Sequence, residues 1–355
     1  MEFRENVSLA EYTTMKVGGP ARYLACIGNE KELVEALGFA KEKGLSVIVI
    51  GEGSNTIFAD KGYDGLVIIN RIKGIEVSEK EGSFSIRAGS GEKWDDVVKK
   101  SVDLSLTGME ALSLIPGSVG AAPVQNIGAY GQDISGVLES VEVYDETRQK
   151  FEIISREECG LGYRTSIFKW GHPDYEEGRY IITAVTFRLK RGFLEPPFYK
   201  DIEAYLKENN ISEYTPANIR EAVLQIRTKK LPDPKKAPNS GSFFRNPIVS
   251  KEKFTQIEEE EPSINEVPEG WSQPPRWILP DSSVKIAAGW LLEQVGYSAY
   301  YDKATGMETW PTQNLTLVNK SAKSAEDVIK FRDVIVNKVK DKFGIELEEE
   351  VRVIE

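Results

Sequence analysis

The stretch from Leu114 to Asp133, LIPGSVGAAPVQNIGAYGQD, constrains the fold of this chain more than any other. It holds four glycines, three alanines and two prolines, and its only charge is the closing Asp133. That composition suits neither a helix nor a strand interior. Glycine opens backbone conformations closed to other residues and lets a second object approach the main chain. Alanine and serine keep the side chains small. The segment therefore reads as bare backbone. Either it offers amide N–H groups to a large flat or phosphate-rich ligand, or two backbones cross tightly there without one.

Bulk properties narrow the field. A chain of 355 residues is long enough for two or three domains and a sizeable core. Hydrophobic residues make up 40% and charged residues 28%, ordinary for a globular protein. The net charge of -11 argues against nonspecific binding to nucleic acid or an anionic membrane. Two cysteines, Cys26 and Cys159, make neither a disulfide framework nor a zinc site, which fits a reducing cytosol. The acidic start MEFRENVSLAEY lacks the apolar core of a signal peptide, and no apolar run is long enough to span a bilayer. The single histidine, His172, precedes Pro173 in a polar turn and is expected at the surface. That setting argues against Ser-His-Asp chemistry and histidine metal clusters, and proton work is expected to fall to carboxylate, serine, tyrosine or lysine.

In chain order, Arg22–Cys26 is a candidate strand. Asn29 and Glu32 form a candidate capping box, and Leu33, Val34, Leu37 and Ala40 share a helix face that Gly44 ends. SVIVI (46–50) and GLVIIN (65–70) read as buried strands, so an α/β unit is expected. GEGSN (51–55) follows the first of these strands, where ligands of α/β units dock. It is not G-x-G-x-x-G and no helix pattern follows, so it is either a phosphate-binding turn or an ordinary one. Glu76–Ala88 predicts paired strands, Trp94, Val97, Val98 and Val102 a helix, and Val141–Tyr144, Phe151–Ile154 and Tyr180–Leu189 further strands. Tyr163-Arg164 could present a guanidinium to an anion or lie in a solvated loop. FLEPPFY (193–199) reads as a linker or lid. Thr215-Pro216 opens a helix faced by Ile219, Ala222, Val223 and Ile226, which runs into the basic segment Arg227–Lys236. That segment is either a solvated helix end or a site for a phosphorylated substrate. Ser242, in NSGSFFRNP, has no nearby base and no G-x-S-x-G setting, so residue type alone leaves it structural or functional. Lys285–Val295 predicts a buried helix that Gly296 caps. Ser324 and Gly344 bracket the last long helix, and the glutamates of IELEEEVRVIE read as an acidic strand end.

The order Thr14–Arg22, GEGSN, IPGSVGAAPVQNIGAYG, GYRTSIFK, KLPDPK, GSFFRNP, AAGWLLEQ and EEEVR closely resembles the UDP-N-acetylenolpyruvoylglucosamine reductases of peptidoglycan synthesis, in their longer, tyrosine-loop branch. The resemblance covers essentially the whole chain. It implies an α+β, vanillyl-alcohol-oxidase-type FAD-binding fold, with FAD-binding subdomains at 1–72 and 73–228. A substrate-binding domain at 229–344 and a C-terminal segment at 345–355 returning to the active site would complete it. NADPH would deliver hydride to FAD, and the flavin N5 would pass it to C3 of the enolpyruvyl sugar, giving UDP-N-acetylmuramate after protonation at C2. Carried over residue by residue, Arg164, Ser242 and Glu350 would be catalytic: Arg164 and an acid-form Glu350 steady the enolate, and Ser242 protonates its carbon. Candidate cofactor-binding residues are Gly51, Gly53, Ser54, Asn55, Pro116, Gly117, Ser118, Gly120, Ala121, Ala122, Asn126, Gly128, Ala129 and Arg352. Candidate substrate contacts are Tyr163, Tyr199, Lys230, Asn246 and Gln313. No metal is implied, and a cytoplasmic monomer is expected, with no nucleic-acid or membrane partner. The chain ends soon after Val351-Arg352, and Glu261–Pro280 and Tyr297–Thr312 are longer than the family pattern, which puts Gln313 and the lid contacts at issue. Two other readings stand beside this one: a flavin oxidase of the same fold, and a nucleotide-sugar-binding protein without catalysis.

Overall fold

The computed structural model describes residues 1–268 and 273–355, which fall into two compact units. The first comprises Met1–Leu9, Pro20–Ser54 and Gly62–Lys229; the second comprises Ala10–Gly19, Asn55–Lys61 and Lys230–Glu355.

In the first unit, strands run in the order Arg4–Ser8, Pro20–Ile27, Tyr63–Asn70, Ser46–Ile50. The first pair is antiparallel and the others are parallel. Leu66–Ile69 is buried without alternation, as expected of a central parallel strand covered on both faces. Helix α1 (Glu30–Lys43) packs Leu33, Ala36, Leu37 and Ala40 against this sheet. Val34, expected on that face, is 43% exposed, and Ala36 takes its place. The capping box is also shifted: Asn29 Oδ1 accepts from Glu32 N, but Glu32 reaches back to Gly28 N rather than to the cap itself.

The same unit holds an antiparallel sheet ordered Lys150–Ser155, Leu138–Asp145, Tyr180–Arg191, Ser83–Gly89, Ile75–Lys80. Its core includes Ile86, Val141, Val143, Val185 and Phe187, together with Trp94, Val97 and Val98 of α2 (Trp94–Asp103). Helix α3 (Lys200–Glu208), which periodicity did not reveal, packs Ile202 and Leu206 against Ile219, Ala222 and Val223 of α4 (Pro216–Lys230).

The second unit is organised on a sheet ordered Asn239–Ser242, Gln313–Asn319, Met307–Trp310, with a smaller one ordered Ile248–Val249, Val284–Ile286, Arg276–Ile278. Its helices are α5 (Lys251–Glu260), α6 (Ala288–Gln294) and α7 (Ala325–Phe343). The helix expected over Lys285–Val295 is shorter because residues 284–286 pair with both neighbouring strands. Helix α7 carries a complete Ser324–Asp327 capping box and buries Val328, Phe331, Ile335 and Val339 along one stripe. Asp60 accepts from the Ala325 and Glu326 amides at 2.7 and 2.9 Å, so that helix start is held twice. Thr56–Phe58 pairs in parallel with Arg352–Ile354. Of the long segment Glu261–Pro280, residues 269–272 lie outside the described ones. No helix among the described residues is long and apolar enough to cross a membrane.

Candidate active site

The glycine-rich segment is clamped at its entrance by the start of α2. Trp94 Nε1 donates to Leu112 O at 2.8 Å, Trp94 N to Gly117 O at 3.0 Å, and Leu114 N to Asp95 Oδ1 at 2.6 Å. Beyond the clamp the backbone runs too close to its neighbours for side chains. A Cβ on Gly120 would lie 2.6 Å from Ser90 Cβ, and one on Gly51 would lie 2.0 Å from Ser118 Oγ. Gly117, at φ +124°, would place a Cβ 3.0 Å from Ser54 Oγ, and that hydroxyl donates to Pro116 O at 3.3 Å. The GEGSN loop and the glycine-rich segment are therefore in direct contact. Pro116, Ala121 and Gly131 remain exposed and Gly120, Gly128 and Ala129 half-buried, so one face of the segment is open. The expectation of free amides is corrected in part. Val119, Gly120, Ala121 and Ala122 donate their N–H groups to Glu92, Ser90, Ser118 and Val119 carbonyls. What these four positions offer a ligand is close approach rather than donors.

The far end of the segment is tied to the GYR loop. Asn126 Nδ2 donates to Gly162 O at 3.0 Å, and Arg164 Nη2 to Gly128 O at 2.9 Å. Arg164 sits at φ +55°, a conformation that costs energy for a long side chain and often marks a site under functional constraint. Tyr163 beside it is 40% exposed.

Sequence reasoning missed a polar group at the start of the glycine-rich segment. Arg220 of α4 makes a two-pronged ion pair with Asp95 at 2.7 and 2.8 Å and donates to Ser113 Oγ at 2.7 Å. Burial works against the Asp95 carboxylate, but hydrogen bonds from Arg220 and the Leu114 amide outweigh it and hold the carboxyl below its ordinary range. One turn-pair further along α4, burial lowers the pKa of Arg227, which hydrogen-bonds Tyr130. Tyr130 in turn meets the Tyr199 ring edge-on at 5.5 Å, and burial raises the pKa of both tyrosines. The visible signal was two arginines seven apart beside the apolar face of one helix.

Asp95→Asn is expected to cost about 2–4 kcal/mol near neutral pH, because it leaves Arg220 buried without its counter-charge. The folded carboxyl titrates below its unfolded value of about 3.9, so the pair's contribution is full above that pH. It is lost as pH falls through the lowered folded value. Urea unfolding at stepped pH should show the two proteins converging only in that acid range. A gap that persists there would refute the ion-pair account.

In the second unit, Ser242 ends its strand opposite Thr316, after Gly241 at φ +72°. Phe243 N donates to Leu315 O at 2.8 Å, and Glu350 N donates to Phe243 O at 2.9 Å. Ser242 and Glu350 are thus fixed on adjoining backbones. Asn55 Nδ2 donates to Glu350 O at 2.8 Å, and Arg352 N to Asn55 O at 3.0 Å. Glu350 is only 8% exposed, which removes it from the solvated acidic end expected of IELEEEVRVIE. Asn246 Oδ1 accepts from Ala288 N at 2.9 Å at the start of α6, and a Cβ on Gly289 would lie 3.9 Å from Gln313 Oε1. Asn246 and Gln313 therefore flank the same helix end. Lys230, closing α4, accepts from Thr312 Oγ1 through its carbonyl at 2.7 Å. His172 is a correction: its side chain is 14% exposed rather than at the surface, and its Nδ1 accepts from Asp174 N.

These loops and sheets are those of an FAD-binding α+β protein, and an FAD-binding-domain model matches residues 21–147. A second model, described as the C-terminal domain of UDP-N-acetylenolpyruvoylglucosamine reductase, matches residues 233–354. The chain belongs to the UDP-N-acetylenolpyruvoylglucosamine reductase family. It is 36% identical over 349 residues to the reductase of Escherichia coli K12, covering 98% of this chain and 96% of that one. The Salmonella typhimurium reductase is 36% identical over 347 residues, at 98% and 95% coverage. The solved reductase from Thermus caldophilus shares the fold, with a TM-score of 0.65 and 24% identity over 100% of both chains.

Proposed function

We propose that this chain reduces the enolpyruvyl group of UDP-N-acetylglucosamine enolpyruvate to give UDP-N-acetylmuramate, with FAD bound and NADPH as reductant. Family membership supports the reaction, and the observation that carries the site is the backbone bond from Glu350 to Phe243, which sets Glu350 beside Ser242. The contacts of Gly51 with Ser118 and Gly117 with Ser54 leave a surface without side chains, which fits a flat ring system. Gly51, Gly53, Ser54, Asn55, Pro116, Gly117, Ser118, Gly120, Ala121, Ala122, Asn126, Gly128, Ala129 and Arg352 would hold the cofactor. When bound, FAD supplies the hydride chemistry.

The chain's own residues manage charge and protons. Arg164, oriented by its bond to Gly128 O, offers a guanidinium to the charge that develops on the substrate's carboxylate and adjacent carbon. The Glu350 carboxyl works on the same charge. The Ser242 hydroxyl gives its proton to the carbon; an enolate carbon is basic enough to take it without a histidine. Tyr163, Tyr199, Lys230, Asn246 and Gln313 are assigned to the substrate's diphosphate, uridine and sugar. On this reading 1–72 and 73–228 are the flavin subdomains, 229–344 holds substrate, and 345–355 returns to the site. A cytoplasmic monomer belongs to the same reading, and the net charge of -11 argues against a nucleic-acid or anionic-membrane partner.

The test is the visible spectrum. The purified protein should show flavin absorbance, lose it on anaerobic addition of NADPH, and regain it when the enolpyruvyl sugar is added. Oxygen uptake with a small alcohol and no response to NADPH would make it an oxidase instead. A colourless protein that still binds UDP-sugars would make it a non-catalytic binder.

A further inference from the structure

Three consecutive glutamates end in Glu350, and the structure gives each a different fate. Glu348 pairs with Arg245 and stays exposed, and the Arg245 amide donates to Glu348 O at 3.0 Å. Glu349 forms an isolated backbone bridge with Phe244, and its carboxylate meets Arg332 of α7. The side chains of that pair are 28% and 16% exposed. Glu350, the next residue, is buried.

The chain bends at Glu350, directly after the Glu349 bridge, so whatever holds Glu349 sets the point from which that bend departs. Arg332 can act as a fixed point because α7 is itself anchored, by its capping box and by Asp60. Asp333 Oδ1 also lies 2.6 Å from Arg332 Nε, close enough for charge attraction but without hydrogen-bond geometry, so the hydrogen-bonded hold on this guanidinium comes from Glu349. Burial pushes the Glu349 carboxyl upward while Arg332 pulls it down, so the pair sits in a setting where a misplaced charge is costly.

We propose that the Arg332–Glu349 ion pair is a positioning device that fixes the rotation of segment 348–350 and so the placement of Glu350. The proposal rests on the reading of Glu350 as catalytic. Neither Arg332 nor Glu349 touches substrate in this account; both act through the main chain that carries Glu350.

The experiment uses the full-length flavin-loaded enzyme. Arg332→Met should lower kcat for sugar reduction about tenfold, as small displacements of a catalytic group do. Reduction of the flavin by NADPH should stay within about twofold and the sugar KM within about threefold, with most of kcat restored in Arg332→Lys. Amide exchange at Glu350, whose N–H is bonded to Phe243 O, should quicken in Arg332→Met. An unchanged kcat, unchanged exchange, or equal loss of both half-reactions would overturn the proposal. Glu349→Gln is held to the same criteria if Arg332→Met does not fold. Glu350→Gln separates the two levels: full sugar reduction in that variant removes the catalytic reading itself. A slow Glu350→Gln beside a normal Arg332→Met removes only the positioning role.

Discussion

Ser242→Ala is expected to slow sugar reduction by roughly 10²–10⁴-fold, the range of a lost general acid, while NADPH should still reduce the bound flavin at nearly its normal rate. The split is the informative part. Ser242 occupies the end of a strand whose partner is Thr316, and its neighbour Phe243 is bonded on both sides, to Leu315 and to Glu350. Removing one hydroxyl oxygen disturbs none of those backbone bonds, so the site's frame should survive. Anaerobic stopped-flow separates the half-reactions: flavin absorbance falls with NADPH in the first and returns with the sugar in the second. Loss of both to the same degree would mean that the hydroxyl supports the structure rather than the proton transfer. Running the second half-reaction in deuterium oxide adds a check, since a step limited by proton delivery slows in that solvent.

How much of this was written in the sequence depends on the range of each interaction. Caps and short periodicities were legible because they are local. Asn29, Ser324 and Gly344 bound their helices, and SVIVI and GLVIIN became adjacent parallel partners in one mixed sheet. Helix α3 was lost because its flanking prolines and exposed charges resemble a linker. The residues before α6 read as helix because their apolar run is ambiguous until the strands at 248–249 and 276–278 claim 284–286.

The site divides along the same line. Glycine-rich stretches announced themselves by composition. The Asp95–Arg220 pair joins residues 125 apart and the Asn55–Glu350 bond joins residues 295 apart, and no periodic pattern records either. The run of glutamates illustrates the limit well. As composition it is one acidic end, yet packing gives Glu348, Glu349 and Glu350 three environments.

Gly51→Ala is expected to weaken FAD binding roughly 5–150-fold, the equivalent of about 1–3 kcal/mol of overpacking. The new methyl would lie 2.0 Å from Ser118 Oγ and 3.0 Å from Ser118 Cβ. Rotating the hydroxyl relieves the first contact but not the second, so the two loops must move apart. A cofactor cradled by both loops loses its fit when that happens, and titration of the flavin-free protein with FAD reads the loss directly. Shape and backbone strain are separated by a second change. Ser118→Gly in the Gly51→Ala background deletes both atoms that the methyl would meet, and should return affinity to within about threefold of Ser118→Gly alone. If Gly51→Ala binds FAD as tightly as the parent, the contact between these loops is not what shapes the cofactor's bed. If the double variant fails to recover, the alanine acts through its own backbone rather than through Ser118. Recovery would tie the bareness of this main chain to the closeness of two loops: one must lack a side chain where the other presents its serine.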